Sequence, residues 1–233
     1  MKKYIPSTYQ QILLYSFLGV WLWAAINPKH PGDWLLENYL VFIFTPIILL
    51  TGKYFRFSNS SYTLITIFMI LHVVGSHYTY AEVPFGYTLQ AWFGSNRNMY
   101  DRLVHFSFGF LLAYPVREVF VRLATVKGIW AYYLPLDLTL SLSALFEIIE
   151  WLVASIAEPS AGIAFLGSQG DIWDAQKDML LAGGGAVLTM IIIALINMNY
   201  NPGFWKEMKE SFHIPEGDMP HGEVTFRSWR NKK

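Results

Sequence analysis

The sequence predicts an all-α membrane protein, a polytopic bundle of six transmembrane helices whose N- and C-termini lie in the cytoplasm. Three observations lead to this fold class. Hydrophobic residues make up 54% of the chain and charged residues only 15%, whereas a soluble domain carries about 25% charged residues. Six stretches approach the roughly 20 apolar residues that a helix needs to cross a bilayer. Lysines and arginines are also divided unevenly among the connections between these stretches.

The six predicted spans form a single transmembrane domain over residues 1–199. The first span follows Lys2 and Lys3, as the apolar part of a signal peptide would. Bulky and polar residues come after Ala24 and Ala25, where a cleavage site would need small ones, so we interpret this span as a retained helix. The six ranges are Gln10–Asn27, Leu36–Thr51, Ser61–Tyr80, Tyr100–Arg122, Trp130–Ala157 and Asp174–Asn199.

The orientation follows from the positive charges, because cytoplasmic connections carry an excess of lysine and arginine. With the N-terminus inside, every lysine and arginine falls on the cytoplasmic side except Lys29, Arg97, Arg102 and Lys177. Residues 200–233 then form a cytoplasmic tail. Its stretch "NPGFWKEMKESF" predicts a short amphipathic helix, which lies either on the inner membrane surface or against the cytoplasmic loops.

Composition also restricts the function. The 17 lysines and arginines balance 17 aspartates and glutamates, so there is no basic excess of the kind that binds nucleic acid. The chain has no cysteine, which excludes disulfides and thiolate metal ligands. The expected partners are the lipid bilayer and a lipid-linked substrate, and no pattern indicates a haem, flavin or nucleotide site.

The sixth span begins with three aspartates, in "GSQGDIWDAQKDMLLAGGGAV". Asp174 and Asp178 are one turn apart on the same helix face. The simplest interpretation is an acidic helix start that complements the helix dipole. The small residues that follow, "AGGGA", predict a surface on which another helix packs closely.

Three other predicted spans carry ionisable residues at the same outer end. Such residues are costly inside a membrane, about 2.5–3.5 kcal/mol each on insertion scales, so their convergence favours a common purpose. We expect spans three to six to enclose one polar chamber, with the first two spans as an outer scaffold that adds only Asp33 and Glu37. The converging residues are His72, His77, Asp101, Arg102, His105, Glu147 and Glu150, beside Asp171, Asp174 and Asp178.

Carboxylates packed together need protons or a cation to compensate their charge. Histidine and carboxylate ligands suit zinc or manganese, and carboxylates alone suit magnesium, so a divalent metal ion is the expected cofactor. In this hypothesis Glu150 or Asp174 is the general base and Arg102 binds a phosphate. The candidate metal ligands are His72, His77, Asp101, His105, Glu147, Asp171 and Asp178.

Four stretches, "HVVGSHYTY", "YDRLVHFSFGFLL", "ALFEIIEW" and "LGSQGDIWDAQKDMLLAGGGA", resemble the YjdF-type bacterial inner-membrane proteins, a family classed as a domain of unknown function. The resemblance covers most of residues 10–200 and implies an inner-membrane location. The order of these motifs more distantly resembles the VanZ-like membrane proteins. Glu150 and Asp178 stand where VanZ-like chains often have Gln and Asn.

Three functions remain open from the sequence. The first is a metal-assisted enzyme that acts on a lipid-linked or envelope substrate. The second is a transporter of a small solute or lipid, or a proton-coupled one, because intramembrane carboxylates also carry protons and cations. The third is a structural membrane protein whose buried ion pairs orient its helices.

Overall fold

Helices make up most of the structure, a computed structural model that describes residues 6–156, 167–214 and 229–230. Within these residues every long element is a helix, which confirms the all-α fold class. A 3-10 turn over Tyr80–Glu82 links two of the helices. The helices are α1 (Thr8–Ala24), α2 (Pro31–Thr51), α3 (Asn59–Tyr78), α4 (Pro84–Phe93), α5 (Tyr100–Arg122), α6 (Trp130–Ile156), α7 (Asp174–Tyr200) and α8 (Phe204–Glu210).

Five helices in the described part of the chain, α2, α3, α5, α6 and α7, are long and apolar enough to cross a membrane. With 17 residues, α1 is just shorter than these five. The first predicted span, the total of six spans and the cytoplasmic position of both termini therefore stay predictions. The 10-residue helix α4, which the sequence analysis did not predict, lies in the connection between α3 and α5.

Several helix starts follow from local sequence. Ser7 begins α1 with a capping box, in which its hydroxyl accepts the Gln10 N–H and the Gln10 side chain accepts the Ser7 N–H. These bonds satisfy backbone donors that have no partner inside the helix. Prolines occupy the first turns of α2 and α4, where the missing N–H costs nothing.

α5 is the central helix of the bundle. It packs against α3, α6 and α7, while α1 and α2 pack against α3. Among the described helices, only α3 brings its Cα atoms within 8 Å of α2. No Cα atom of α2 lies within 8 Å of a Cα atom of α6.

Glycines allow α5 and α7 to approach closely. A Cβ atom added at Gly109 of α5 would lie 1.8 Å from the Ala182 carbonyl oxygen of α7. A Cβ added at Gly185 of α7 would lie 2.3 Å from the Phe106 carbonyl oxygen of α5. Both positions therefore require glycine, and the "AGGGA" stretch is confirmed as a close-packing surface.

One end of the bundle is named the polar end here. At this end α2, α5 and α7 begin, and α3 and α6 end. At the opposite end, α8 packs on the start of α6. Its buried Phe204 contacts the Tyr132 ring, and Trp130 Nε1 donates to the Ser211 carbonyl at 2.8 Å. A short helix therefore lies in the predicted tail, while Trp205 within it is largely exposed and its amphipathic character stays a prediction. Much of the rest of the predicted tail lies outside the described residues.

The outer faces of the long helices are apolar. Leu188 and Ile192 on α7 and Leu145 and Ile148 on α6 are substantially exposed, although isoleucine and leucine are usually buried in soluble proteins. Many polar side chains, such as Asp178, His72 and Thr139, are buried in the interior of the bundle instead. This distribution fits a protein whose solvent is the bilayer.

Candidate functional site

Arg102, near the start of α5, holds the start of α7 through three aspartates. Its Nη2 atom lies 2.6 Å from Asp174 Oδ1 and 3.1 Å from Asp171 Oδ2, and its Nη1 atom pairs with Asp178 Oδ2. Nη1 also donates to the Asp174 carbonyl at 3.0 Å. The guanidinium is buried, so its charge is balanced by carboxylates and not by water.

Arg97 approaches the same carboxylates from the connection before α5. It pairs with Asp174, and its Nη2 atom lies 3.3 Å from Asp101 Oδ2. Nη2 also donates to the Gly167 carbonyl at 3.1 Å, which ties the segment before α7 to α5. We call these residues the Arg–Asp network, which comprises Arg97, Arg102, Asp101, Asp171, Asp174 and Asp178.

Asp171 is the most exposed acid of this network and lies just before α7. Lys177 Nζ donates to its Oδ2 at 2.7 Å, and the Trp173 N–H donates to its Oδ1 at 3.1 Å. These hydrogen bonds, the one from Lys177 first, lower the pKa of Asp171 below its ordinary value. Asp171 is therefore an ionised surface member of the network.

His105 faces two carboxylates on different helices. Its Nε2 atom lies 3.5 Å from Asp101 Oδ1, one turn earlier on α5, and 3.6 Å from Glu147 Oε1 on α6. Asp101, His105 and Asp178 each offer a ligand atom within 4.8 Å of the other two. We call these three residues the His105 cluster, and Glu147 lies beside it.

Two carboxylate oxygens beside His105 have no hydrogen-bond partner among the described residues. They are Asp178 Oδ1 and Glu147 Oε1, and both are buried. Asp178 is only 2% exposed, although its other oxygen pairs with Arg102. Unpartnered buried carboxylate oxygens are unfavourable, and they are the kind of atom that a metal ion would use.

A cavity of about 290 Å³ runs from the polar end into the bundle between α2, α3, α5 and α6. Its inner walls are apolar and include Phe44, Phe68, Phe108, Leu142 and Phe146. Where the cavity reaches the polar end of the bundle, its lining residues are polar: Glu37, His72, Tyr80, Asp101, His105 and Glu150. We call this cavity the pocket. It joins the His105 cluster to an apolar space.

His72 is held in one tautomer. Its Nε2 lies 3.1 Å from the Glu37 carbonyl oxygen and its Nδ1 lies 2.5 Å from the Tyr80 hydroxyl. A carbonyl oxygen only accepts, so Nε2 carries the proton and Nδ1 accepts the Tyr80 O–H. Burial raises the pKa of Tyr80 well above its ordinary value. Both ring nitrogens of His72 are therefore engaged within the protein.

The structure does not bring His77 to the other predicted ligands. Its Nδ1 lies 3.1 Å from the Ala24 carbonyl oxygen, and its ring packs 4.5 Å from that of Trp23. The side chain therefore faces α1, away from the His105 cluster. His72 and His77 are five positions apart on α3, which points them in different directions.

The sequence predicts that spans three to six enclose the chamber and that Glu37 is one addition from the scaffold spans. Glu37 of α2 lines the pocket. Its Oε2 atom is buried without a hydrogen-bond partner among the described residues, and the residue is 8% exposed. A charged residue inside the apolar stretch "WLLENYLVF" was the available sequence signal. Tyr80 was missed, since a single tyrosine near a helix end carries no pattern of its own.

Comparison with known proteins agrees with this architecture. Residues 9–199 match the family described as predicted membrane protein (DUF2238). The inner membrane protein YjdF of Escherichia coli (strain K12) is 38% identical over 174 residues, which cover 74% of this chain and 83% of YjdF. No solved structure matches the chain.

Proposed function

The chain belongs to the DUF2238 family and is a multi-pass inner-membrane protein, and we propose that it is a metal-dependent enzyme acting on a lipid-linked or other envelope substrate. The observation that carries the proposal is the His105 cluster, two of whose three members line the pocket. Asp101 and His105 belong to both, so a metal ion there would touch a molecule in the pocket.

The chemistry of the cluster supports a divalent cation. Three protein ligands with one position left for water are typical of catalytic zinc, whose bonds of about 2.0–2.2 Å separate tetrahedral ligands by roughly 3.4 Å. The 3.5 and 3.6 Å distances from His105 Nε2 to its two carboxylate neighbours are close to that spacing. The unpartnered oxygens of Asp178 and Glu147 supply further donors.

Charge balance supports the same conclusion. The two arginines of the Arg–Asp network and Lys177 face four aspartates, and Glu147 lies beside them. Carboxylates in excess of their cationic partners need protons or a metal ion. A divalent ion at the His105 cluster would compensate that excess.

The remaining groups have distinct roles in this proposal. The metal would lower the pKa of a bound water so that it can attack a carbonyl or phosphoryl group. Glu150, which lines the pocket, would accept the proton of that water. Arg102 and Asp174 are paired with each other, so we assign them to positioning the cluster and not to binding a phosphate or a proton.

The test is elemental analysis of purified protein with a matched pair of histidine variants. We expect about one zinc, manganese or similar ion per wild-type chain, little in His105→Gln, and the wild-type amount in His77→Gln. A chelator should abolish, and the metal restore, hydrolysis of lipid-linked esters in proteoliposomes. Folded wild-type protein that takes up no metal would refute the proposal.

A further inference from the structure

The shape of the pocket indicates a single hydrocarbon chain. Phe44 lies seven residues after Glu37 on α2, and both line the pocket. At 1.5 Å per helical residue, these positions are roughly 10 Å apart along the helix. Asp101 and Phe108 show the same separation on α5. The pocket is therefore elongated, polar at one end and aromatic at the other.

The polar end of the pocket presents carboxyl groups. Glu37, Asp101 and Glu150 line it, and no lysine or arginine is among its described lining residues. In its neutral form, with Nε2–H donating to the Glu37 carbonyl and Nδ1 accepting from the Tyr80 hydroxyl, His72 adds no charge. Neither Arg97 nor Arg102 lines the pocket. Both pair with Asp174 outside the lining, and Arg97 also lies 3.3 Å from the pocket residue Asp101.

Glu37 provides an independent pointer to a ligand. Its Oε2 atom is buried at the wall of the pocket and has no partner in the part of the chain that the structure describes. Hydrogen bonds to charged groups are worth about 1.5–3 kcal/mol, and leaving such a group unpaired is unfavourable. An ammonium or another strong donor in the pocket would satisfy this oxygen.

Access to the pocket from the bilayer follows from helix packing. α2 and α6 both line the pocket, yet no Cα of α2 lies within 8 Å of a Cα of α6. Ile149, a pocket residue on α6, is 45% exposed. A hydrocarbon chain could therefore enter sideways between these two helices without crossing water.

We infer that the pocket binds a single-chain amphiphile with a cationic head group, its chain among the aromatic residues and its head beside Glu37 and Glu150. The identification of this molecule as the substrate rests on the proposed function. Its binding does not, because Glu37 has no role in the proposed metal site or in the attack by water.

The experiment uses the full chain in phosphatidylcholine nanodiscs, labelled by a photoreactive decylamine. Unlabelled decylammonium, decanol and decyl sulfate compete in turn, and mass spectrometry locates the labelled peptides. We expect labels on the segments of α2, α5 and α6 that line the pocket. Decylammonium should compete best and decyl sulfate least. Equal competition by the sulfate would overturn the inference.

Two pairs of variants make the result specific. Glu37→Gln should weaken decylammonium competition by roughly tenfold or more and leave decanol unaffected, whereas Glu210→Gln at the opposite end should change neither. Ser143→Phe should fill the pocket and abolish labelling, whereas Ser141→Phe on the exposed face of α6 should not. Wild-type affinity in Glu37→Gln would also refute the inference.

The same measurement on chelator-treated and metal-loaded protein separates the two proposals. Specific amine binding in both forms, together with no metal in elemental analysis, would refute only the metal-dependent enzyme. Metal uptake without any preference for the amine would refute only the inference that the pocket binds a cationic amphiphile.

Discussion

At the scale of single residues, Arg102 is a central positive charge of the polar end, since it contacts three aspartates around the start of α7. Removing one partner of a buried ion pair typically costs 3–5 kcal/mol, because the other charge is left uncompensated. We expect Arg102→Met to lower the free energy of unfolding by about that amount. Denaturant titration in detergent measures it.

Lys177→Met is the matched control for Arg102→Met. Lys177 also pairs with Asp171, but its side chain is 53% exposed. Exposed ion pairs contribute only about 0–1 kcal/mol, so this variant should remain close to wild type. Equal losses in the two variants would show that burial of the arginine is not what matters.

Asp171 predicts a pH dependence with a definite sign. Its folded pKa is lowered, so its contribution to stability is fully present above the ordinary aspartate pKa of about 3.9. It is lost as the pH falls through the lower folded value. The Tm difference between wild type and Lys177→Met should therefore be constant near pH 6 and shrink towards pH 3. A difference that grows on acidification would contradict this assignment.

The sequence predicted some residues of the candidate site better than others, for a geometric reason. Asp101 and His105 are one turn apart, so helix geometry alone places them on one face. The direction in which His77 points depends on how α3 is rotated against α1, and no spacing within α3 contains that information. The same limit applies to Glu37, whose neighbours come from other helices.

At the scale of helices, the contact between α5 and α7 sets the position of the His105 cluster, which has members on both. Gly109→Ala would place a methyl group against the Ala182 carbonyl. Overpacking of this kind costs about 1–3 kcal/mol, and separating the helices would also move Asp178 from His105. We expect lower thermal stability and reduced metal uptake.

Gly184→Ala provides the control on the same helix. Nothing lies within 4 Å of a Cβ at Gly184, and alanine favours a helix over glycine by about 1 kcal/mol. This variant should be as stable as wild type or more so. If it were destabilised as much as Gly109→Ala, close approach of the two backbones would not be the cause.

The long helices were predictable because apolar length is a local property of the sequence. The predicted span Tyr100–Arg122 coincides with α5 in both bounds. Helix α4 was missed because its 10 residues are too few to cross a bilayer. Its start instead follows from Pro84 in the first turn, a signal that hydropathy does not record.

At the scale of the whole molecule, the orientation in the membrane is open to a direct test. The chain has no cysteine, so single cysteines report without background. We expect an impermeant maleimide to label Asn96→Cys in intact spheroplasts, and Ala124→Cys only after permeabilisation. Both positions are exposed and lie on connections at opposite ends of α5. The reverse pattern would invert the predicted topology.

The gap between α2 and α6 also affects how the molecule is held together. Because α2 packs through its backbone only on α3 among the described helices, a hydrocarbon chain seated in the gap would become a structural part of the core. The membrane would then supply a component of the fold as well as its surroundings. Delipidation would loosen α2 first, and amide hydrogen exchange there would report the lipid content of the preparation.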